Sequence, residues 1–435
     1  MTSNMTDVTR LSAFSHLHAS VPDETSPRYA GWRVVAACFV AAMFCWGFGL
    51  YSHGIYLAEL HHLHGWTASS ISAATTAYYL LTAFLVVFIS DAIVRLGPRA
   101  VLLIGACCLV SAVALLAFIG ALWQLYAVYL VMAVGSAAMH VGSITNILGL
   151  WFDRQRGLAI SLALNGASSG GILVAPGLVM AIAATGFTPA MIGAAIVMAA
   201  ILTPVIAICV DRPPEQATSP PLSARHGGSA YVPHSINARA HWTRHKALRS
   251  PAFWSVAAPF ALALMAQVGF LVHQIALLEP AIGRTAAGIS VAVLTVAAVI
   301  GRLALGAFNL RLDLRWVTAL LLLSQAGALL AMMQTTDVAW LFLACAVFGL
   351  SAGNLISLPA LIIQREFEAA SFGMLVGLST AIGQFTYAFG PGLLGLVRDL
   401  TGSYTASLAL CMGLEIVAAG MVLLPAGQLK PTDFK

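Results

Sequence analysis

The sequence predicts an all-α membrane protein in which twelve transmembrane helices form two pseudo-symmetric bundles of six. Three observations predict it. The 435 residues are 60% hydrophobic and only 9% charged, whereas soluble domains carry about 25% charged residues. Apolar runs of the roughly 20 residues needed to cross a hydrocarbon core recur twelve times along the chain. Short motifs of the first six runs return, in the same order, in the second six.

Residues 1–30 are polar, include Asp7, Asp23 and Glu24, and lack an apolar core, so a free tail and no cleaved signal peptide are expected. The first bundle is expected over 31–210, with spans near 32–58, 68–93, 100–120, 124–150, 157–183 and 187–210. Residues 211–250 are rich in Pro, Ser, His and Arg and read as a flexible linker. The second bundle is expected over 251–425, with spans near 252–279, 285–309, 316–333, 339–363, 371–397 and 404–425, and a tail over 426–435.

An even number of spans puts both termini on one side. Arg28, Arg33, Arg95, Arg99, Arg154, Arg156, Arg311, Arg315 and Arg365 fall on that side with the basic linker, and only Arg284 and Arg398 fall opposite. The positive-inside rule then places both termini and the linker in the cytoplasm, in a cell's inner (plasma) membrane. Because the basic residues lie in connections, the net charge of +5 does not call for a nucleic-acid partner. All seven cysteines sit inside apolar runs without metal-ligand spacing and read as small packing residues.

The repeat is specific. Ser90-Asp-Ala-Ile-Val94-Arg95-Leu-Gly-Pro-Arg99 aligns with Gly306-Ala-Phe-Asn-Leu310-Arg311-Leu-Asp-Leu-Arg315. Ala175-Pro-Gly-Leu178 aligns with Gly390-Pro-Gly-Leu393, and Gly49-x-x-x-His53 with Gly269-x-x-x-His273. Gly135, five residues before His140, aligns with Gly349, five before Asn354. Two such bundles with a site between them is a transporter architecture.

One charge stands out. Arg302 lies in the eighth span, nine residues before Arg311, which puts it about 13 Å inside the membrane. A guanidinium there costs about 3 kcal/mol or more and cannot escape by losing its proton. It requires an internal partner or an anionic ligand; a gate arginine satisfied by carbonyls and water is the competing reading. Glu415 is the one acid deep in a span, and it belongs to the twelfth.

Trp151-Phe-Asp-Arg-Gln-Arg156-Gly-Leu-Ala, the run from Gly390 to Tyr404 and Gly301-Arg302-Leu303 make the chain resemble the major facilitator superfamily over about residues 31–425. Within it, the chain is similar to the branch of monocarboxylate transporters and oxalate–formate antiporters. The resemblance implies rocking bundles, a monomer without a cofactor, and a substrate carboxylate held by Arg302. Ala298 stands where animal-type monocarboxylate carriers place an Asp, which weakens an Asp-based proton route. Ser379 stands near the antiporter's Lys, which argues against a dianion, since one fixed cation compensates one carboxylate. Val94 and Leu310 stand where the family's gate motif usually carries Asp. Asp91, one turn earlier, is expected to pair with Arg95, in a cytoplasmic gate motif with Arg99, Arg311 and Arg315.

By depth, Asn165 and Ser379 lie level with Arg302, and His140 and Asn354 somewhat farther out. With Tyr51 these are the expected substrate-binding residues. Histidine as a residue type titrates near neutrality, so His140 is a candidate to carry the coupling proton; a neutral histidine bonded between helices is the alternative. His53 and His273 read as an outer gate or proton site, or as helix packing. Gln384 and Tyr387 suit a polar lining or a satisfied core, and His61, His62 and His64 are spaced too loosely for an expected metal.

The sequence therefore reads as a secondary transporter of a small monocarboxylate, working in the lipid bilayer with H+ as coupling ion. An anion exchanger, an organic-anion or drug exporter of the same fold, and a membrane sensor without transport are the alternatives. No nucleophile–base pair or catalytic metal spacing points to an enzyme.

Overall fold

The computed structural model describes residues 24–26, 28–210, 242–308, 313–368 and 371–424. Arg311 of the expected gate motif lies outside the described residues, as do most of both tails and of the linker. Among the described residues every regular element is helical. Eleven stretches are long and apolar enough to cross a membrane, and the chain is a multi-pass membrane protein.

Span one is α1 (Gly31–Trp46), a π-helical turn over Gly47–Tyr51, and α2 (His53–His64). Span two is α3 (Ala68–Val86), trailed by the short α4 (Ile89–Leu96), and span three is α5 (Pro98–Leu116). Span four divides into α6 (Leu122–Ala138) and α7 (Val141–Gly149). Span five is α8 (Arg156–Ser169), a second π-helical turn over Gly170–Val174, and α9 (Ala175–Thr185); span six is α10 (Phe187–Cys209). After α11 (Arg244–Arg249), spans seven to nine are α12 (Pro251–Ile282), α13 (Arg284–Phe308) and α14 (Leu314–Gln334). Span ten divides into α15 (Val338–Ala352) and α16 (Leu358–Glu366). Span eleven is α17 (Phe372–Tyr387) and α18 (Gly390–Thr401), and span twelve is α19 (Tyr404–Val422).

Glycines let the helices meet backbone to backbone, as apolar helices in lipid must if packing is to hold them. A Cβ on Gly166 of α8 would strike the Phe39 carbonyl of α1, and one on Gly390 of α18 the Met265 carbonyl of α12. The same applies to Gly301 against the Leu350 carbonyl and Gly353 against that of Ala298, where α13 meets span ten.

Arg33 donates to the Ile208 carbonyl (3.0 Å), so the chain enters and leaves the first bundle at one end, the linker end. The bundles touch at the opposite, far end. There the Ser69 N–H donates to the Asp399 carboxylate (2.7 Å), and the Gly392 N–H to Thr76 Oγ1 (3.2 Å). Arg284 pairs with Glu59 (2.8 Å) across the same boundary. The buried apolar residues agree: those of the first bundle and the far half of the second form one cluster, including Phe270, Phe348 and Leu394. The linker-end half of the second bundle, around Phe253, Leu322 and Ile362, forms its own. A cleft therefore separates the bundles at the linker end.

Four expectations need correction. The tail is tied down from Glu24, whose carboxylate accepts from the Asp153 and Gln155 N–H groups (2.8 and 2.7 Å) just before α8. The linker ends early: Thr243 caps α11, and Trp242 packs on Phe367 (ring centroids 5.2 Å). Spans four and ten are interrupted, at His140 and over Gly353–Ser357. Pro359 opens α16 and suits a helix start, but no comparable signal marks His140. Asp91 and Arg95 are both exposed and form no ion pair; water screens such a pair to a few tenths of a kcal/mol, too little to fix two side chains.

Candidate functional site

The cleft contains a cavity of ≈ 340 Å³. Six spans line it: Trp46 and Leu50 from span one, Tyr78, Tyr79 and Thr82 from α3, and His140 and Val141 at the break in span four. Facing them are Phe260, Leu264 and Gln267 from α12, Pro359 and Ala360 from α16, and Ser379, Gln384 and Tyr387 from α17.

The break in span four is what presents His140. The residue caps the start of α7 in an extended conformation (φ −69°, ψ 168°), and its ring stacks on Trp46 (centroids 5.4 Å, 25°). Tyr78 donates to Ser136 Oγ (2.7 Å), while Tyr79 meets Tyr387 edge-on across the bundle boundary (5.5 Å, 83°). The Tyr79 hydroxyl and the Gln267 amide oxygen have no hydrogen-bond partner. The walls are thus ring-rich, with a few unsatisfied polar atoms, the usual make-up of a small-molecule site.

Of the expected substrate residues, the structure brings His140 and Ser379 into this wall. Arg302, Tyr51, Asn165 and Asn354 are placed beside it. Arg302 is half-buried on α13 and reaches across the boundary to α8, where Nη2 donates to Ser168 Oγ (2.5 Å); Nε donates to the Ala298 carbonyl (3.4 Å). Among the described residues it makes no ion pair. Tyr51 lies close by, meeting Thr295 at Gly171. Asn165 is exposed on α8, one turn nearer the linker end than Ser168. Asn354 is buried at the break in span ten; its amide donates to the Leu350 carbonyl (3.1 Å) and its oxygen is unpartnered. Glu415, fully buried in α19 with neither oxygen bonded, is no partner to Arg302.

His53 and His273, equivalent in the repeat, have opposite surroundings. His273 ties the bundles together at the far end: its Nε2–H serves the Pro391 carbonyl (3.0 Å) and Ser72 Oγ (3.1 Å), and Tyr404 donates to Nδ1 (3.2 Å). His53 is fully buried with neither ring nitrogen bonded. Of the gate arginines, Arg95 and Arg99 are exposed. Arg315 stays within its own bundle, holding Glu366 with two bonds (2.6 and 2.7 Å) and capping the end of α19 through the Val422 carbonyl (2.6 Å). Its partner Glu366, the far-end acids Glu59 and Asp399, and the cavity residues Trp46, Tyr78, Tyr79 and Gln267 were not anticipated. Only Gln267, an amide deep in an apolar run, carries a signal in the sequence. Among the described residues no three His, Cys, Asp or Glu are placed to hold a metal ion.

The sequence profile of the Major Facilitator Superfamily matches residues 37–391. An uncharacterised MFS-type transporter of Bacillus subtilis (strain 168), YcxA, is 24% identical over 413 residues, which is 92% of this chain and 96% of that protein. A putative anionic 4-hydroxy-benzoate permease of Thauera aromatica is 34% identical over 110 residues, 25% of this chain and 65% of the permease. The crystal structure of the nucleoside transporter NupG shares the fold, with a TM-score of 0.69 at 13% identity over 92% of this chain and all of that one (100%).

Proposed function

The chain belongs to the Major Facilitator Superfamily of transporters, and on that premise we propose that it carries small monocarboxylate anions by alternating access, with H+ as the coupling ion. One observation carries this reading. Arg302 is a permanent cation at mid-depth whose bonds go only to a hydroxyl and a backbone carbonyl. A carboxylate completes it with two charge-assisted hydrogen bonds, which neutral partners cannot match.

The same bond supplies a coupling. Ser168 belongs to the first bundle and Arg302 to the second. An anion that takes the guanidinium from Ser168 alters a contact between the bundles, which is the differential interaction that alternating access requires. Asn165, one turn away on α8, is within the reach of a ligand at that point. The ring-lined cavity alongside would hold the body of the acid, which favours a benzoate-like or short aliphatic monocarboxylate; the name of the permease relative agrees with the former. His140, in the cavity wall against Trp46, is assigned to the substrate. Charge placement in the connections favours an inner membrane with termini and linker in the cytoplasm, so the cleft would open inward.

The test is uptake of labelled benzoate, 4-hydroxybenzoate, lactate, pyruvate and formate into proteoliposomes, with and without a pH gradient. Accumulation of at least one acid that follows the gradient and collapses in Arg302→Ala is expected. Unchanged uptake in Arg302→Ala would end the anchor role, and indifference to the gradient would end the symport role.

A further inference from the structure

Fifteen buried side-chain atoms among the described residues lack a hydrogen-bond partner, and six of them lie in one place: Ser52 Oγ, both ring nitrogens of His53, and the hydroxyls of Tyr56, Tyr79 and Tyr129. Native structures tolerate a few such atoms per hundred residues and rarely group them without a use. Here they surround a single titratable ring. The His53 ring lies 5.7 Å from that of Tyr56, 4.8 Å from Tyr78, 5.7 Å from Tyr79 and 5.0 Å from Tyr129, between centroids. His53, Tyr56 and Tyr129 have no exposed surface at all.

We propose that His53 and the four tyrosines around it form the proton-binding site of the transport cycle. The proposal rests on the reading of the chain as an H+-coupled carrier and assigns the proton a place. Burial by itself penalises a charged ring, and three features offset that cost for an imidazolium. Tyrosine ring faces attract a cation, most strongly where water is excluded. Hydroxyl oxygens can turn to accept from the ring N–H groups. The π-helical turn Gly47–Tyr51 ends one residue, Ser52, before His53 and leaves the carbonyls of Gly49 and Leu50 near its ring. Such turns recur at functional sites because they disturb the regular bonding ladder.

No side-chain charge on the packed elements competes with this one. α3 presents Tyr78 and Tyr79, and α6 presents Tyr129. α12, on the other side of α2, presents the backbone of Leu271 and Val272 to Gly54, and its His273 is bonded elsewhere. Glu59, farther along α2, and Glu279 of α12 are both held by Arg284, and His61, His62 and His64 lie beyond them at the end of α2. Access is short, because Tyr78 and Tyr79 are both cage and cavity wall. A proton from cavity water passes to the Tyr79 oxygen as that hydroxyl gives its own proton to a His53 nitrogen. The tyrosine is left neutral and the histidine carries +1; the reverse step discharges it when the cavity faces the other side. A carboxylate bound in the cavity adds a negative charge near the ring, and at a separation of about 10 Å and an effective dielectric of about 20 such a charge makes protonation roughly tenfold easier, which links proton to substrate.

Two measurements on the full-length protein in liposomes decide this. In the first, ring-15N histidine spectra between pH 5 and 8 are compared for wild type and His53→Gln to identify the His53 signals. Protonation within this range is expected, with a midpoint about one pH unit lower in Tyr79→Phe/Tyr129→Phe, which keeps the rings and removes two oxygens. A His53 ring neutral down to pH 5 overturns the site, whatever the substrate is. In the second, vesicles containing the pH dye pyranine receive benzoate or lactate. His53→Gln should lose substrate-driven proton entry by tenfold or more while keeping exchange of labelled for unlabelled acid. Retained proton entry, or loss of exchange as well, overturns the coupling role. A wild type that moves none of the five acids named above defeats the carboxylate reading and the coupling role together, and leaves the spectra to decide the proton site.

Discussion

Arg302 on α13 donates a 2.5 Å hydrogen bond to the hydroxyl of Ser168 on α8, a tie from a cation to a neutral partner that joins the two bundles beside the cavity. A hydrogen bond to a charged group is worth about 1.5–3 kcal/mol, and a bidentate carboxylate makes two. Arg302→Ala is therefore expected to raise the KM for carboxylate uptake at least about tenfold. Arg302→Lys keeps the charge, loses the fork and should fall between. Ser168→Ala removes only a neutral partner and should change KM several-fold less than Arg302→Ala, measured in the same liposomes.

At the far end, Arg284 bridges Glu59 of the first bundle (2.8 Å) and Glu279 of the second (3.0 Å). Burial raises the Glu59 carboxyl above its ordinary range; Arg284 opposes this and Glu279 adds to it. A closed far end thus holds a proton on Glu59 more tightly than an open, hydrated one. Lowering the pH through the raised value favours closure, and the preference fades as pH rises above it. A Ser69→Cys variant labelled from the far side with an impermeant maleimide should react several-fold more slowly at pH 5 than at pH 8 once each rate is divided by that of free cysteine at the same pH, which removes the thiolate fraction. Adding Glu59→Gln should flatten that dependence.

His273 holds Ser72, the Pro391 carbonyl and Tyr404 together at the same end. Ser72→Ala removes the bond that crosses the boundary and leaves the two within the second bundle. Labelling of Ser69→Cys should then rise. His273→Ala should raise it further and lower the melting temperature, because it also removes the bond to the Pro391 carbonyl and leaves the Tyr404 hydroxyl without its acceptor.

The glycine contacts predict where one methyl group is too many. Gly166→Ala drives a Cβ into the Phe39 carbonyl, and Gly301→Ala drives one into that of Leu350. Each should cost about 1–3 kcal/mol as overpacking, read as a lower melting temperature in detergent. Gly327→Ala, in α14 with open space at its Cβ, should be neutral or stabilising by up to about 1 kcal/mol.

The span pattern was legible because a membrane imposes it: each crossing needs about 20 apolar residues, whatever their neighbours. The repeat was legible for a related reason, since paired motifs such as Gly49/His53 and Gly269/His273 survive as strings. What became of those pairs was not. His273 is bonded on both nitrogens and His53 on neither, because the difference lies in Tyr404, Ser72, Tyr78 and Tyr129, which belong to other helices. The break at His140 was hidden too, for no proline marks it.

By itself the sequence determined the all-helical membrane class, the order of the apolar spans and the presence of an unbalanced cation in the eighth. These follow from local composition and from the cost of charge in hydrocarbon. Only the tertiary structure decided that Arg302 meets Ser168 beside the cavity, that rings from α3, α17 and span one form its wall, and that the far end is the closed one. Those facts depend on which helix faces are brought together, and contacts between residues hundreds of positions apart leave no periodic trace in either chain segment.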